Sequence, residues 1–368
     1  MSAPILVSAL VRWLDFAAFA ALAGAAGLDL LVLPRGAAEL EPPRRALRRL
    51  SLLATAALLL TSAAELALRA HTLAGGGIAT ALAALPSVLG RTHFGGLWLL
   101  RIAALALVPL LLRAGHRFAS VATPLPIAAV ALATSLTGHA ADRGDASLAA
   151  LADWLHLLAA ATWAGGLLCL SYLARGGAGG PARLGEWARR FSRLAGLCLL
   201  GVVVSGSYSA WIELGSIAAL WSTSYGRMLA VKLAFVLGLV SLGAENRFRV
   251  VPALSPGGRR GLAWRGFDAV LGRLGAAPDA PERQFWRLVA REAVLALIVF
   301  ACTAFLVQTQ PSRHSHRHAA RMPSAEGASA VAVPGPSHFA YDVLARLKIG
   351  ERVRDRSMTV SAVHLPSG

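Results

Sequence analysis

Residues 148–173 read LAALADWLHLLAAATWAGGLLCLSYL, and their composition is that of a membrane span. The stretch is 26 residues long, and Asp153 and His156 are its only acidic or basic side chains. An α-helix of about 20 apolar residues crosses the roughly 30 Å hydrocarbon core of a bilayer. Gly165 and Gly166 leave room for a neighbouring helix to approach closely. The stretch therefore predicts a transmembrane helix that packs inside a bundle.

Eight apolar stretches of comparable length follow one another along the chain. None of them alternates apolar and polar residues with the period of two that a transmembrane barrel strand shows. The sequence therefore predicts an all-α, polytopic membrane protein in which residues 1–311 form a bundle of eight transmembrane helices. The expected spans are Leu10–Leu33, Leu50–Leu73, Phe94–Leu112, Phe118–Leu136, Leu148–Leu173, Phe191–Leu214, Arg227–Phe248 and Phe285–Val307.

The composition of the chain excludes an ordinary soluble protein. Of its 368 residues, 56% are hydrophobic and 15% are charged, and the mean hydropathy is +0.59. In so apolar a chain the formal net charge of +17 reflects membrane topology, and no nucleic-acid partner is expected. The three cysteines have unrelated spacings, which excludes a disulfide scaffold and a CxxC redox pair. Four methionines are too few for a thioether pathway.

The distribution of arginine predicts the orientation of the bundle. Seventeen arginines lie in the odd-numbered connections between spans, whereas the even-numbered connections hold only Arg91 and Arg143. Cytoplasmic loops carry the excess of Lys and Arg, so both termini are expected to be periplasmic. Residues 312–368 form a basic tail that is predicted to be largely disordered. Its eight Lys and Arg residues do not overturn this orientation, because a long segment translocates largely regardless of charge.

Polar side chains gather in the outer third of the predicted bundle. Four histidines lie there: His71 and His139 at the ends of the second and fourth spans, His93 just before the third, and His156 two turns into the fifth. Imidazoles with carboxylates beside them are what copper or zinc prefers, whereas calcium and magnesium prefer oxygen ligands alone. We therefore predict that these four histidines bind a metal ion. Residues expected to support or gate the site are Asp153, Glu65, Arg69, Tyr208, Glu213, Arg227 and Lys232.

These polar residues also have an alternative interpretation, in which they are structural and bind no metal. A single interfacial histidine is often a snorkelling or hydrogen-bonded side chain. Glu65 and Arg69 are four residues apart on one helix and could simply neutralise each other. Arg227 and Lys232 have no acidic residue three or four positions away, so their partners must come from other helices. Glu213 and Asp153 are the candidates, unless Arg227 lies at the headgroups and Lys232 snorkels.

The tail and the cysteines offer weaker signals for metal binding. The run Arg313-His314-Ser315-His316-Arg317-His318 places three imidazoles on one side of an extended chain. Such a run could capture a transition metal loosely, or it could be a solvated basic segment. Cys169, Cys198 and Cys302 are expected to be small buried residues, with a Cu(I) exit site at the first two as the alternative.

Several motifs of the second half resemble the copper resistance protein D family of bacterial inner-membrane proteins. They are DWLHLLAAATWAGG from Asp153 to Gly166, SGSYSAW from Ser205 to Trp211, and TSYGRMLAVK from Thr223 to Lys232. The resemblance covers roughly residues 10–311 and is most specific from Asp153 onward. It implies copper handling across the cytoplasmic membrane, as import or tolerance, alongside a periplasmic copper-binding protein.

The expected function is copper transport or copper tolerance through an outward-facing His/carboxylate site, with the ion as Cu(I) or Cu(II). Proton-linked release would suit this site, because an imidazole must be neutral to bind metal. One alternative is a b-type electron-transfer protein with a single haem held by axial histidines. Another is a membrane scaffold that recruits a periplasmic copper chaperone. The sequence contains no nucleophile elbow and no phosphate-binding glycine loop, so an enzyme is not expected.

Overall fold

The computed structural model of the chain describes residues 3–34, 40–74, 78–138, 143–175, 181–254 and 280–308, and all regular structure in these ranges is helical. Contacts divide the chain into residues 1–323 and residues 324–368. The second unit, like the whole predicted tail 312–368, lies outside the described residues.

The α-helices are α1 (Ala3–Gly27), α2 (Glu41–Ala74), α3 (Ile78–Arg91), α4 (His93–Arg113), α5 (His116–Ala122), α6 (Pro124–Leu136), α7 (Leu148–Arg175), α8 (Pro181–Leu214), α9 (Ala219–Ser222), α10 (Ser224–Glu245), α11 (Val251–Ala253) and α12 (Pro281–Leu306).

The predicted bundle of eight spans is confirmed. Eight helical stretches of the described chain are long and apolar enough to cross a membrane, and each overlaps one predicted span. The fourth span consists of two helices, α5 and α6, which meet at Thr123. Pro124 and Pro126 follow this junction, and neither has an amide hydrogen to continue the hydrogen-bond ladder of α5. The orientation of the bundle in the membrane stays a prediction.

Helix α3 is an element that the hydropathy pattern did not predict. It has 14 residues, too few to span a bilayer, and contains Pro86. It packs against α2 and α4, where Leu66, Val88 and Phe94 form a small apolar cluster. Hydropathy detects long apolar windows, so a short helix that covers the ends of two spans escapes it.

Two spans end in a π-helical turn. Leu28–Val32 continues α1, and Asn246–Val250 continues α10. In the first turn, the amide of Leu33 donates to the carbonyl of Leu28 over 2.9 Å, which is a five-residue step. Such turns are rare, and they are frequently found at functional sites.

Helices α1 and α7 cross in direct backbone contact at the centre of the bundle. A Cβ atom added to Gly165 would lie 1.7 Å from the carbonyl oxygen of Ala20, and one added to Gly24 would lie 2.0 Å from the carbonyl carbon of Gly165. On α7, Gly166 receives the ring of Phe191 from α8, 2.4 Å from an added Cβ. The predicted close packing at the glycine pair is therefore confirmed.

The other helices are arranged around this crossing. Helices α2, α6 and α12 pack against α1, while α8 and α12 pack against α7. Helix α4 packs against α6 and α2, and α10 packs against α12. The two halves of the chain thus meet along α1 and α7, so a polar group on either helix can reach partners from both halves.

The two ends of the bundle differ in charge. Arginines concentrate at the end where α2, α8 and α12 begin, and we call this the inner end after the predicted orientation. There Asp29 lies 3.5 Å from both Arg44 and the ring of His116, and Arg44 also donates to the carbonyl of Pro34 over 2.7 Å. The opposite end, called the outer end, carries the described histidines of the predicted metal site.

The helix crossing gives a direct test. Gly165→Ala forces α1 and α7 apart, and overpacking of this kind costs about 1–3 kcal/mol or more. The thermal unfolding midpoint of the detergent-purified protein, followed by tryptophan fluorescence, should fall by several degrees. Gly96→Ala on α4 is the matched control, since nothing lies within 4 Å of the added Cβ. Equal midpoints for the two variants would contradict the crossing.

Candidate functional site

The predicted metal ligands occupy different environments at the outer end. His71 is exposed in the last turn of α2, and His93 is exposed at the start of α4, with its Nε2 2.7 Å from Oδ2 of Asp145. His156 is half-buried in α7, whereas His139 lies outside the described residues, as do the three tail histidines. Among the described residues, no group of three or more His, Cys, Asp or Glu side chains is placed to hold a metal ion.

His156 is held by helix α8. Its Nδ1 lies 3.1 Å from Oγ of Ser205, which donates its own hydrogen to the carbonyl of Gly201 over 2.5 Å. The Ser205 oxygen is therefore the acceptor, so Nδ1 of the ring carries a hydrogen; in the neutral ring the lone pair is then on Nε2. Gly206 allows this approach, because an added Cβ would lie 3.0 Å from Cε1 of the ring. Gly201 and Gly206 of α8 therefore both lie close to α7, at Ala159 and His156.

A charged group from helix α10 lies close enough to act on this histidine. Lys232 of α10 interacts electrostatically with Asp153 and His156 of α7, and with Cys302 of α12. We call Asp153, His156, Ser205 and Lys232 the outer polar cluster. Asp153, one of the two candidate partners from the sequence, offsets the charge of Lys232, and Lys232 also acts on the ring of His156.

Glu213 has a partner that the sequence analysis did not assign. It is buried at the end of α8, and Nη1 of Arg143 lies 2.7 Å from its Oε1. Arg227 is exposed and donates to the carbonyl of Trp221 and to Oγ of Ser224 over 3.5 and 3.4 Å. Glu213 thus binds Arg143, a loop residue, because the connection before α7 folds over the end of α8.

Tyr208 lies on α8, three residues beyond Ser205, and is partly buried. Tyr225, which the sequence analysis did not single out, interacts electrostatically with both Glu213 and Asp153. The phenol of Tyr225 therefore lies between the outer polar cluster and the Arg143 pair.

Glu65 and Arg69 each contact a residue outside their own helix. Glu65 pairs with Arg12 of α1 over 2.8 Å, and the guanidinium of Arg69 lies 4.0 Å from the ring centroid of Phe94. Glu65 and Arg69 still attract each other electrostatically. The expected neutralisation within α2 is therefore extended by partners from α1 and α4.

Asp15 and Arg101 form the most deeply buried charge pair described in the bundle, with 1% and 5% of their surface exposed. Asp15 accepts hydrogen bonds from Arg101 and from the hydroxyl of Thr61, the latter over 2.6 Å. Arg101 also donates to the hydroxyls of Ser62 and Thr134, each over 2.9 Å. This network joins α1, α2, α4 and α6. Two opposite charges inside predicted spans were the signal in the sequence, but their pairing was not assigned.

The three cysteines are free and buried. Cys169 donates to the carbonyl of Ala21 on α1 over 3.5 Å, beside the glycine crossing. This contact fits the small buried role expected for Cys169.

At the inner end, Glu292 of α12 is buried with 3% of its surface exposed, and its Oε1 accepts a hydrogen bond from Nδ2 of Asn246 over 3.2 Å. Asn246 is the first residue of the π turn after α10.

Two protein-family models match the chain. The model described as copper resistance protein D matches residues 185–306, and the model described as copper resistance protein D-like, N-terminal domain, matches residues 1–148. Together they cover both halves of the bundle except residues 149–184, which include nearly all of α7.

Three relatives are similar over large parts of the chain. Copper transport protein CutJ of Bacillus subtilis is 29% identical over 67% of this chain and 49% of that protein. Inner membrane protein YebZ of Escherichia coli is 29% identical over 47% of this chain and 61% of that protein. Copper resistance protein D of Pseudomonas syringae pv. tomato is 30% identical over 46% of this chain and 58% of that protein. The chain thus spans about half to three fifths of the length of these relatives. No solved structure matches the chain.

The Asp15–Arg101 network predicts a large effect on stability. Arg101→Ala leaves the Asp15 carboxylate buried without its cation, which costs about 3–5 kcal/mol. Arg45→Ala is the control, because its pair with Glu41 is exposed and worth about 0–1 kcal/mol. Thermal unfolding in detergent should separate the two variants clearly, and equal midpoints would show that the buried pair does not hold the first four spans together.

Proposed function

We propose that the protein is a multi-pass protein of the bacterial inner membrane that transports copper or confers tolerance to copper. The proposal starts from the family of the chain, which is the copper resistance protein D family. Relatives named for copper transport and copper resistance support this function. The relative named as an inner membrane protein and the eight apolar helices support the location.

The observation that carries the site assignment is the orientation of His156. Nδ1 donates to Ser205, so in the neutral ring Nε2 keeps the lone pair that a copper ion needs. A hydrogen bond at the other ring nitrogen is the usual way in which proteins orient a metal-binding histidine. Asp153 lies one turn away on α7 and offsets part of the charge of an arriving cation. His156 is therefore the proposed inner ligand of the outward-facing site.

His93 is the proposed outer ligand, at the rim. Its Nε2 faces the carboxylate of Asp145, so Nδ1 is the nitrogen left to bind copper. His71 is exposed at the same end, and His139 follows three residues after the end of α6 in the sequence. We propose that these histidines receive the ion and pass it to His156, where Lys232 repels it and promotes its onward release.

The remaining polar residues of the outer end have supporting roles in this proposal. Glu65 with Arg69, and Glu213 with Arg143, hold the helices around the entrance, while Tyr208 and Arg227 border it. The tail histidines His314, His316 and His318 would collect copper loosely before entry. A periplasmic copper-binding protein is the proposed donor.

Loss of His156 should abolish copper handling. Cells that express His156→Ala should match cells without the protein in copper content and copper sensitivity, because the inner ligand is missing. His116→Ala removes an imidazole at the inner end, beside Asp29, and should behave as wild type. The site assignment is wrong if the double variant His139→Ala/His156→Ala retains wild-type copper content. A Soret band in the purified protein would support the haem alternative instead.

Ser205 should act through the orientation of His156. Ser205→Ala removes the acceptor at Nδ1, and loss of such a partner lowers metal affinity about 10–100-fold. Copper binding to the purified protein, measured by competition with a chromophoric chelator, reports this change. Ser241→Ala is the matched control, since Ser241 also donates to a carbonyl one turn back on its helix but is exposed. Equal affinities for both variants would rule out a positioning role for Ser205.

A further inference from the structure

Glu292 is a buried carboxyl group whose described hydrogen-bond partner is a neutral amide. It lies in the inner half of α12, and among the described residues no Arg, Lys or His forms an ion pair with it. Burying a carboxylate in a membrane span without a cation is costly. A carboxyl group in this position is therefore expected to be functional, and a bound proton is the simplest way to remove its charge.

The charged groups on the elements packed against α12 have other partners. Glu245, at the end of α10, accepts from Gln284 over 2.9 Å and lies 3.6 Å from Arg249. Arg247 donates to the carbonyl of Ser192, and Asp29 of the turn after α1 faces Arg44 and His116. The outer charges Asp153, His156 and Lys232 are distant, since Lys232 precedes Asn246 by 14 residues, or about 21 Å of helix. On α12 itself, Arg287 and Arg291 are exposed.

The amide of Asn246 suits both charge states of Glu292. As placed, Nδ2 donates to Oε1, which is the arrangement for an ionised carboxylate. Oδ1 of Asn246 is buried without a hydrogen-bond partner, and the residue has 7% of its surface exposed. A rotation of the amide would present this oxygen to a protonated carboxyl, which donates a hydrogen bond. The pair can therefore hold Glu292 with or without a proton.

The position of Asn246 links this pair to the helices of the outer site. Asn246 opens the π turn that ends α10, and α10 carries Lys232 toward His156. The next residue, Arg247, binds Ser192 of α8, and α8 carries Ser205. Asn246 is therefore connected to α10 and, through Arg247, to α8, which are two of the three helices that form the outer polar cluster.

We propose that Glu292 and Asn246 form a proton-binding site near the inner end of the bundle. One proton from water at that end bonds to a carboxyl oxygen of Glu292 and neutralises its charge, and the same proton leaves when the carboxylate is restored. Glu245 is adjacent to Asn246 in sequence and is partly exposed. That this exchange accompanies copper passage rests on the proposed function, whereas proton binding itself does not.

Infrared spectroscopy of the purified full-length protein tests the proton site. The carbonyl band of a protonated, buried carboxyl should be present, should disappear reversibly as the pH is raised, and should be missing in Glu292→Gln. Glu245→Gln should keep the band. In Asn246→Ala the band should remain but shift in frequency, because the hydrogen-bond acceptor of the protonated carboxyl is lost. This variant provides the test of the site if Glu292→Gln does not fold. A band that persists unchanged in a folded Glu292→Gln protein, or its absence from the wild type at every pH, overturns the proposal.

Proteoliposomes that enclose a pH-sensitive dye test the coupling. Addition of Cu(I) ions to the wild-type protein should change the internal pH, and Glu292→Gln should abolish this change while copper binding in detergent stays within about twofold of wild type. His156→Ala should lose both. If the wild type moves no copper but keeps the infrared band, the proposed function fails and the proton site stands. If copper moves equally in Glu292→Gln and wild type with the same pH change, the coupling is wrong.

Discussion

The contact of α1 with α7 through Gly24 and Gly165 is the constraint on which the rest of the bundle depends. Side chains are absent on both sides, so the two backbones touch and fix the rotation and depth of each helix. Asp15 on α1 and His156 on α7 take their positions from this crossing. A looser crossing would move Asp15 away from Arg101 and His156 away from Ser205, although both contacts lie more than a turn from the glycines.

Charges inside the spans are satisfied between helices, and this organises the polar structure of the protein. Asp15 binds Arg101, Glu65 binds Arg12, and Glu213 binds Arg143. Each pair joins segments that are distant in sequence, and none of the three pairs lies within a single helix. The outer polar cluster differs from these pairs, because it combines Lys232 and Asp153 with an imidazole, that of His156, which is bonded to Ser205 of α8. Glu292 differs again, because its partner is an amide.

The eight spans and the close packing at Gly165 could be predicted from sequence, because both depend on local composition. The partners of the charged side chains could not. Arg12 lay at the edge of a span and Arg143 in a connection, so neither stood out, and the facing of two helices depends on their rotation in the assembled bundle. The histidines shared a predicted depth, but depth does not determine direction around the bundle. His93 and His156 accordingly face different partners, Asp145 and Ser205.

The glycine crossing also constrains how the protein is made. Gly24 and Gly165 are 141 residues apart, so at a synthesis rate of roughly 5–20 residues per second α1 waits about 7–28 seconds for α7 to leave the ribosome. During that interval Asp15 is in the bilayer before Arg101 has been synthesised. We therefore expect the nascent first helix to stay beside the insertion machinery, or to carry Asp15 in protonated form, until Arg101 arrives.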